Sequence, residues 1–287
     1  GGVFLHAPLH GRASAVGILV KLSDDTTRSR PTFTSTGGIF GAQPPNCLSG
    51  LVGQWVNVEI RCDFPQLTVT VNGQLVQDVD MRDDPMLRYR PRAGFLGFQD
   101  CSKPVEYRHV RVKRLPGTEK EWRPLFQGND LTGWKQIDGD ALWRVENEVL
   151  TADGGNGYLA TEKEYHNFEW RAYVQTMPGS NGGIFLRFKS LPSDRGFEIQ
   201  IEDNPSSNNP TGSIYNHRRA CCTPMQAGTW YPLQILVRGR HGTIRVNGVT
   251  VAQTDSLPVD RAGHIAIQCH HQGSRIRIKK MKIQVFD

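Results

Sequence analysis

The chain repeats itself, and the repeat decides most of what it can fold into. Gly1-Gly-Val-Phe-Leu-His6 reads like Gly182-Gly-Ile-Phe-Leu-Arg187, and Thr36-Gly-Gly-Ile-Phe40 like Thr211-Gly-Ser-Ile-Tyr215. Gly53-Gln-Trp55 matches Gly228-Thr-Trp230, and Asn72-Gly73 matches Asn247-Gly248 at the same Trp-to-Asn interval of 17. Gly94-Phe-Leu-Gly-Phe-Gln99 then matches Gly263-His-Ile-Ala-Ile-Gln268. Each copy closes on a basic alternating stretch, Val105 to Lys113 and Ile276 to Ile283, which predicts a solvated outer strand.

The copies are unequal. Residues 124–180 of the second, including Leu125-Phe-Gln-Gly-Asn-Asp-Leu-Thr-Gly-Trp134 and Trp143-Arg-Val-Glu-Asn-Glu-Val-Leu150, have no counterpart in the first. The division is therefore a partial copy over 1–115, a joining stretch over 116–123 with Pro116-Gly117 as breaker, and a complete copy over 124–287. By alignment the first copy lacks about 60 residues of its front, which would leave sheet edges and core open. Either a preceding segment or another chain is expected to complete it.

Short alternating runs recur throughout, and no window holds a helical period. Asn-Gly pairs suit two-residue hairpins. Both copies are thus expected to be all-β sandwiches of the jelly-roll kind. In Gly196-Phe-Glu-Ile-Gln-Ile-Glu-Asp203, Phe197, Ile199 and Ile201 point to one side, and Glu198, Gln200 and Glu202 to the other. Two acids around an amide suggest a ligand surface. In Gly263 to His270 the same alternation puts His264, Ala266, Gln268 and His270 on one face. If the two strands share a sheet, Glu198, Gln200, Gln268 and His270 line one polar surface, with Arg187 at the end of a third strand.

The net charge is +6, but the basic residues are scattered and lack the joined stacking aromatics of a nucleic-acid surface. No apolar run is long enough to span a membrane.

The motifs quoted above, with Glu198-Ile-Gln-Ile-Glu-Asp203 and Gln268-Cys-His-His271, resemble the 3-keto-disaccharide hydrolase-like family. The likeness covers the second copy end to end and the first from its middle onward. It implies a concanavalin A-like jelly roll, an exported (periplasmic or extracellular) bacterial setting, and a carbohydrate ligand cleaved after oxidation at C3. It places the family's acid, amide and acid on Glu198, Gln200 and Asp203, its arginine on Arg187, and its late histidine on His270 or His271. Either His270 or Glu198 would be the base that removes the C2 proton, and Arg187 would hold the enolate oxygen. A divalent cation on Glu198, Asp203 and a histidine is an alternative stabiliser, although the spacing matches no metal motif. Asp203 equally suits a turn cap. An ordinary glycosidase pair of carboxylates is a further alternative.

By alignment the first copy carries Leu19 for Glu198, Lys21 for Gln200, His6 for Arg187, Phe95 for His264 and Cys101 for His270. Its core positions persist while the polar face does not, so the second copy is the site candidate. A non-catalytic sugar-binding module remains the rival reading, with Trp134, Trp143, Trp170 and Tyr215 as stacking groups. Trp143 and Trp170 lie in apolar alternation and also suit the core. A structural or assembly role is the third reading. Equivalent cysteine positions suggest disulfides Cys47–Cys101 and Cys222–Cys269 (or Cys221–Cys269), with Cys62 free; six buried thiols are the alternative.

Overall fold

The computed structural model describes residues 1–50, 52–101, 103–116, 122–204 and 206–286. The chain forms two compact units, Gly1–Glu119 and Lys120–Asp287. Most of the expected joining stretch, residues 117–121, lies outside the described residues.

Unit 1 contains β1 (Gly2–Ala7), a single helical turn α1 (Ala13–Val16), β2 (Ile18–Lys21), β3 (Val58–Asp63), β4 (Gln66–Val71), β5 (Gln74–Asp80) and β6 (Phe95–Gln99). Two three-stranded sheets result, ordered β2-β1-β6 and β3-β4-β5. Their shared core holds Ile18, Val20, Ile39, Leu67, Val69, Val71 and Val76.

Unit 2 opens with β7 (Arg123–Pro124), β8 (Trp134–Gly139), β9 (Leu142–Glu146), β10 (Val149–Asp153), β11 (Gly157–Tyr165) and β12 (Asn167–Thr176). It continues through β13 (Asn181–Phe188), β14 (Phe197–Glu202), β15 (Tyr231–Arg238), β16 (His241–Val246), β17 (Val249–Thr254), β18 (Gly263–Cys269) and β19 (Arg275–Phe286). A five-stranded sheet, β14-β13-β18-β11-β8, packs on an eight-stranded one, β17-β16-β15-β12-β19-β10-β9 with β7 beside β19. The alternation of Phe168, Trp170, Ala172 and Val174 on β12, and of Leu233, Ile235 and Val237 on β15, meets Ile184, Ile199, Ile201, Ile265 and Ile267 from the other sheet. Each such aliphatic contributes about 1.5–3 kcal/mol by leaving water. In β19 the alternation slips between Ile278 and Met281, because Lys280 takes a left-handed φ of 52° where the register against β12 shifts. That bulge returns Met281 and Ile283 to the core side.

The two units share strand order and register. Gly2 pairs with Lys21 and Gln99, as Gly183 pairs with Gln200 and Gln268. Asn72-Gly73 and Asn247-Gly248 turn β4–β5 and β16–β17 with φ positive at both residues, the geometry a tight hairpin needs. Thr36 Oγ1 donates to Ser23 O and Thr211 Oγ1 to Glu202 O, at matching places.

One expected strand is not formed. Residues 105–113 carry no strand, whereas their counterpart β19 lies between β10 and β12. Those partners belong to the portion with no counterpart in unit 1, so among the described residues the alternating sequence has no strand to pair with. β6 has β1 on one side and, among the described residues, no strand on the other. Leu96 and Phe98, counterparts of the buried Ile265 and Ile267, are accordingly 51% and 49% exposed.

The expected disulfides are also absent: all six cysteines are free. Cys269 packs with Ala141, Ala152 and Trp143, while Cys221 lies at the surface, its Sγ 3.8 Å from Thr250 O. Cys47 packs against the unit 1 core, and Cys101 forms an isolated bridge with Lys103. Equivalent positions in two copies fixed neither distance nor direction. Nor are the thiols all buried, since Cys221 and Cys222 are exposed.

Candidate active site

The five-stranded sheet of unit 2 turns one face to the core and the other to a polar surface. Register fixes what stands side by side there. One row across the strands reads Gln200, Gly183, Gln268, Tyr158, Asp138. The next reads Glu198, Phe185, Ala266, Ala160. Gln200, Glu198 and Gln268 are therefore brought onto one face, as the alternation predicts. His270, just past β18, joins them through its N–H, which donates to Asn181 O at 3.2 Å.

Gly183 makes room for the acid. A Cβ there would stand 2.2 Å from Glu198 Oε1 and 2.7 Å from its Cγ, so the Glu198 side chain lies directly across the Gly183 backbone. Burial in this position pushes the Glu198 carboxyl up to about 8, with the charge of Glu202 adding and Arg195 opposing. The group is thus mostly protonated at neutral pH.

Its neighbours are fixed by hydrogen bonds. Gln268 Nε2 donates to Tyr158 Oη at 2.8 Å, which leaves the phenol proton free to point elsewhere. Burial holds the Tyr158 phenol above its usual range, against the pull of Arg195 and the bond from Gln268. Gln200 is 3% exposed; its Nε2 donates to Asn181 Oδ1 (2.8 Å) and Gly182 O (3.3 Å), and its Oε1 has no partner. Such a buried acceptor costs about 1–3 kcal/mol until a donor arrives. A pocket of about 650 Å³ adjoins this face, lined among others by Tyr158, Gln268, His270, Arg195, Asn156 and Asp138.

Several expected site residues stand elsewhere. Arg187 is wholly buried: at the bulge between Phe185 and Phe188 it adopts φ 57°. From there it donates to the carbonyls of Val259, His166 (3.1 Å) and Gly239 (2.8 Å), with Asp260 at 3.4 Å. It braces the loops and offers no donor to the polar face. Trp134 is in the core and donates Nε1 to Leu125 O, so it cannot stack on a sugar. Trp170 is likewise core, and Trp143 packs against it. Asp203 Oδ2 accepts the Gly179 N–H, the turn role. His271 belongs to the following turn, its Nδ1 3.1 Å from Ser274 Oγ and 3.4 Å from His270 Nδ1. Tyr215 donates its backbone N–H to Glu198 O and leaves its ring 47% exposed beside that strand. The expected cation set is not assembled. Asp203 is turned to Gly179, and no three His, Cys, Asp or Glu among the described residues gather to hold a metal.

Sequence reasoning missed Arg195 and Tyr158. Arg195 stands directly before Gly196, whose φ of 67° turns the chain into β14, and that adjacency was a readable signal. Tyr158 alternates with the core residue Leu159, but only the β11–β18 pairing reveals what lies beside it.

With this geometry in place, the relatives can be compared. The model of the 3-keto-alpha-glucoside-1,2-lyase-like domain matches residues 1–113 and 121–284. The chain belongs to that family, and both units are copies of its domain. Two solved structures of a provisionally named glycosyl hydrolase from Parabacteroides distasonis ATCC 8503 are similar in fold. One is 23% identical with TM-score 0.51, covering 58% of this chain and 94% of its own. The other is 24% identical with TM-score 0.50, covering 58% and 100%. No curated protein matches the chain. Family and fold define a carbohydrate-active, glycosidase-like jelly roll. No helix is long and apolar enough to cross a membrane among the described residues.

Proposed function

We propose that unit 2 cleaves glycosides whose sugar carries a ketone at C3, by elimination across C1–C2 followed by addition of water. The observation that carries this reading is the mostly protonated Glu198 laid over Gly183, with Arg195 and Tyr158 as its electrostatic neighbours.

The ketone acidifies the C2 proton. His270, which lines the pocket, takes it, and the electron pair moves into the C2–C3 bond and onto O3. Arg195 and the free Tyr158 proton stabilise that enolate oxygen, replacing the inaccessible Arg187. The pair then returns to form C1=C2 as the C1–O bond breaks, and Glu198 gives its proton to the departing oxygen. Addition of water at C1, with a proton restored to C2, completes a net hydrolysis. A carboxyl that stays protonated near neutrality suits the acid role better than the base role. Gln200 Oε1 and Gln268 supply hydrogen bonds to sugar hydroxyls.

The rival reading of a sugar-binding module keeps only Tyr215 of its four stacking groups, because Trp134, Trp143 and Trp170 pack in or against the core. The deciding experiment is turnover of a 3-keto-glucoside by the protein and by its Glu198→Gln variant, beside the unoxidised glucoside. Turnover of the keto sugar alone, lost in the variant, is expected. Cleavage of the unoxidised glucoside at equal rate would replace the elimination with an ordinary carboxylate pair. Binding without turnover would move the function to a module.

A further inference from the structure

The pocket is lined by two chemically different sets of side chains, and they describe its ligand. One set is Tyr158, Gln268, His270, Asn156, Asp138 and Arg195, all polar or charged. The other is Ile137, from β8, and Leu191 and Pro192, from the loop between β13 and β14. Ile137 is 41% exposed and Pro192 is also exposed.

The loop that carries two of the apolar residues is built rather than incidental. The loop is closed by hydrogen bonds between Ser190 and Asp194 in both directions, 3.0 and 3.1 Å. Lys189 N also donates to Asp194 O at 2.9 Å, and an ion pair ties Arg261 to Asp194. Leu191 and Pro192 are thereby held at the loop tip. Lys189, which also lines the pocket, gives its ammonium to both oxygens of Glu164 at 2.6 Å, so its charge is already matched.

A second sugar would be poorly served there. Ser190 Oγ is 3.4 Å from Ser193 Oγ and is the one hydroxyl at the loop tip that lines the pocket. Hydroxyls set against Ile137, Leu191 and Pro192 would be stripped of water without replacement, which costs more than an apolar ring pays. Nor is there an aromatic platform: the Tyr158 ring is packed edge-to-face on Phe185 at 5.3 Å and stacked near Phe188 at 6.0 Å. A volume of about 650 Å³ falls in the range for drug-sized ligands, roughly 300–1,000 Å³.

We infer that the site takes a glycoside with an apolar aglycone: a sugar on the polar lining and a hydrocarbon ring or chain on the apolar lining of Ile137, Leu191 and Pro192. This rests on the reading of unit 2 as a keto-glycoside-cleaving site. The test compares kcat/KM for 3-keto-glucosides carrying cyclohexyl or glucosyl at C1, matched in anomeric configuration. Cyclohexanol is no better a leaving group than a sugar hydroxyl, so a preference reports binding. The cyclohexyl compound is expected to lead by about tenfold or more, a hydrophobic discrimination of ordinary size. Ile137→Thr should cut that ratio several-fold, and Ile137→Val should keep most of it. Equal rates, a glucosyl preference, or a ratio unmoved by Ile137→Thr would overturn the inference and leave the reaction standing. If neither compound is turned over, the reaction falls instead, and calorimetric binding of cyclohexyl glucoside against maltose decides the inference. Tighter cyclohexyl glucoside binding that Ile137→Thr weakens would sustain it; equal or absent binding would end it.

Discussion

The two units carry the same register with opposite chemistry. Across matching strands unit 2 reads Gln200, Gly183, Gln268, and unit 1 reads Lys21, Gly2, Gln99. Where Glu198 crosses Gly183, unit 1 has the buried Leu19, and where Arg195 precedes Gly196 it has the buried Val16 before Gly17. Lys21 Nζ donates to Gln99 Oε1 at 2.7 Å, satisfying within the unit an amide that Tyr158 engages in unit 2. The core alternation survives in both because packing alone demands it. The polar row is kept only in unit 2, where the proposed reaction gives a half-buried acid a use. Fold and site are thus separable in a single chain.

The sharpest way to break this comparison is to give unit 2 the residue unit 1 already has. Glu198→Leu should reduce kcat on a 3-keto-glucoside by about 10²–10⁴-fold, the range for a lost acid catalyst, while unit 2 stays folded. Fluorescence reports the fold, since five of the six tryptophans lie in unit 2. The reciprocal Leu19→Glu should confer nothing, because unit 1 has neither a Tyr158 nor an Arg195 counterpart. Activity that survives Glu198→Leu would mean the difference between the units is not catalytic.

Tyr158→Phe sharpens the same contrast by removing one donor and leaving the ring. The expected loss is about 10²–10³ in kcat, as for a single oxyanion donor, with KM little changed. A rise in KM at constant kcat would assign Tyr158 to ground-state binding.

Arg187 separates position from role. Its counterpart His6 sits at the same bulge with φ 52°, so the backbone feature is common to both units and the brace is not. Arg187→Met should cost unit 2 about 3–5 kcal/mol, because it leaves the carbonyls of Val259, His166 and Gly239 without their buried donor and takes a cation from beside Asp260. The kcat of the folded fraction should not move. A kcat loss without destabilisation would restore Arg187 to the chemistry.

These particulars show what was legible in the sequence. The alternation of Phe197, Ile199 and Ile201 against Glu198 and Gln200 was readable, because period two is written in the local order of residues. Repeat matching gave the equivalence of Leu19 with Glu198, and the register agrees. Tyr158 was hidden because strand pairing between β11 and β18 joins residues 110 apart. Arg187 misled because a bulge turns its side chain by one position, and one position reverses the face. Trp134 misled for the opposite reason: its neighbours are polar, yet Leu125 O and the core both claim its ring.

The smallest effect is a slope. The Glu198 carboxyl sits at about 8 in the folded protein and near 4.5 when exposed, so between those values the folded state holds a proton that the unfolded state has released. That contribution is fully present below about pH 4.5 and is lost as pH rises through about 8. Unit 2 should therefore lose stability with rising pH across this window, and Glu198→Gln should flatten the loss. Unit 1, with Leu19 at that place, has no such carboxyl to titrate. In the proposed reaction the same proton goes to the leaving group, so kcat should hold up to about pH 8 and fall above it, where the stability loss levels off. A stability slope without a matching fall in kcat would leave Glu198 buried and titrating but idle, and would pass the acid role to another group on the polar face.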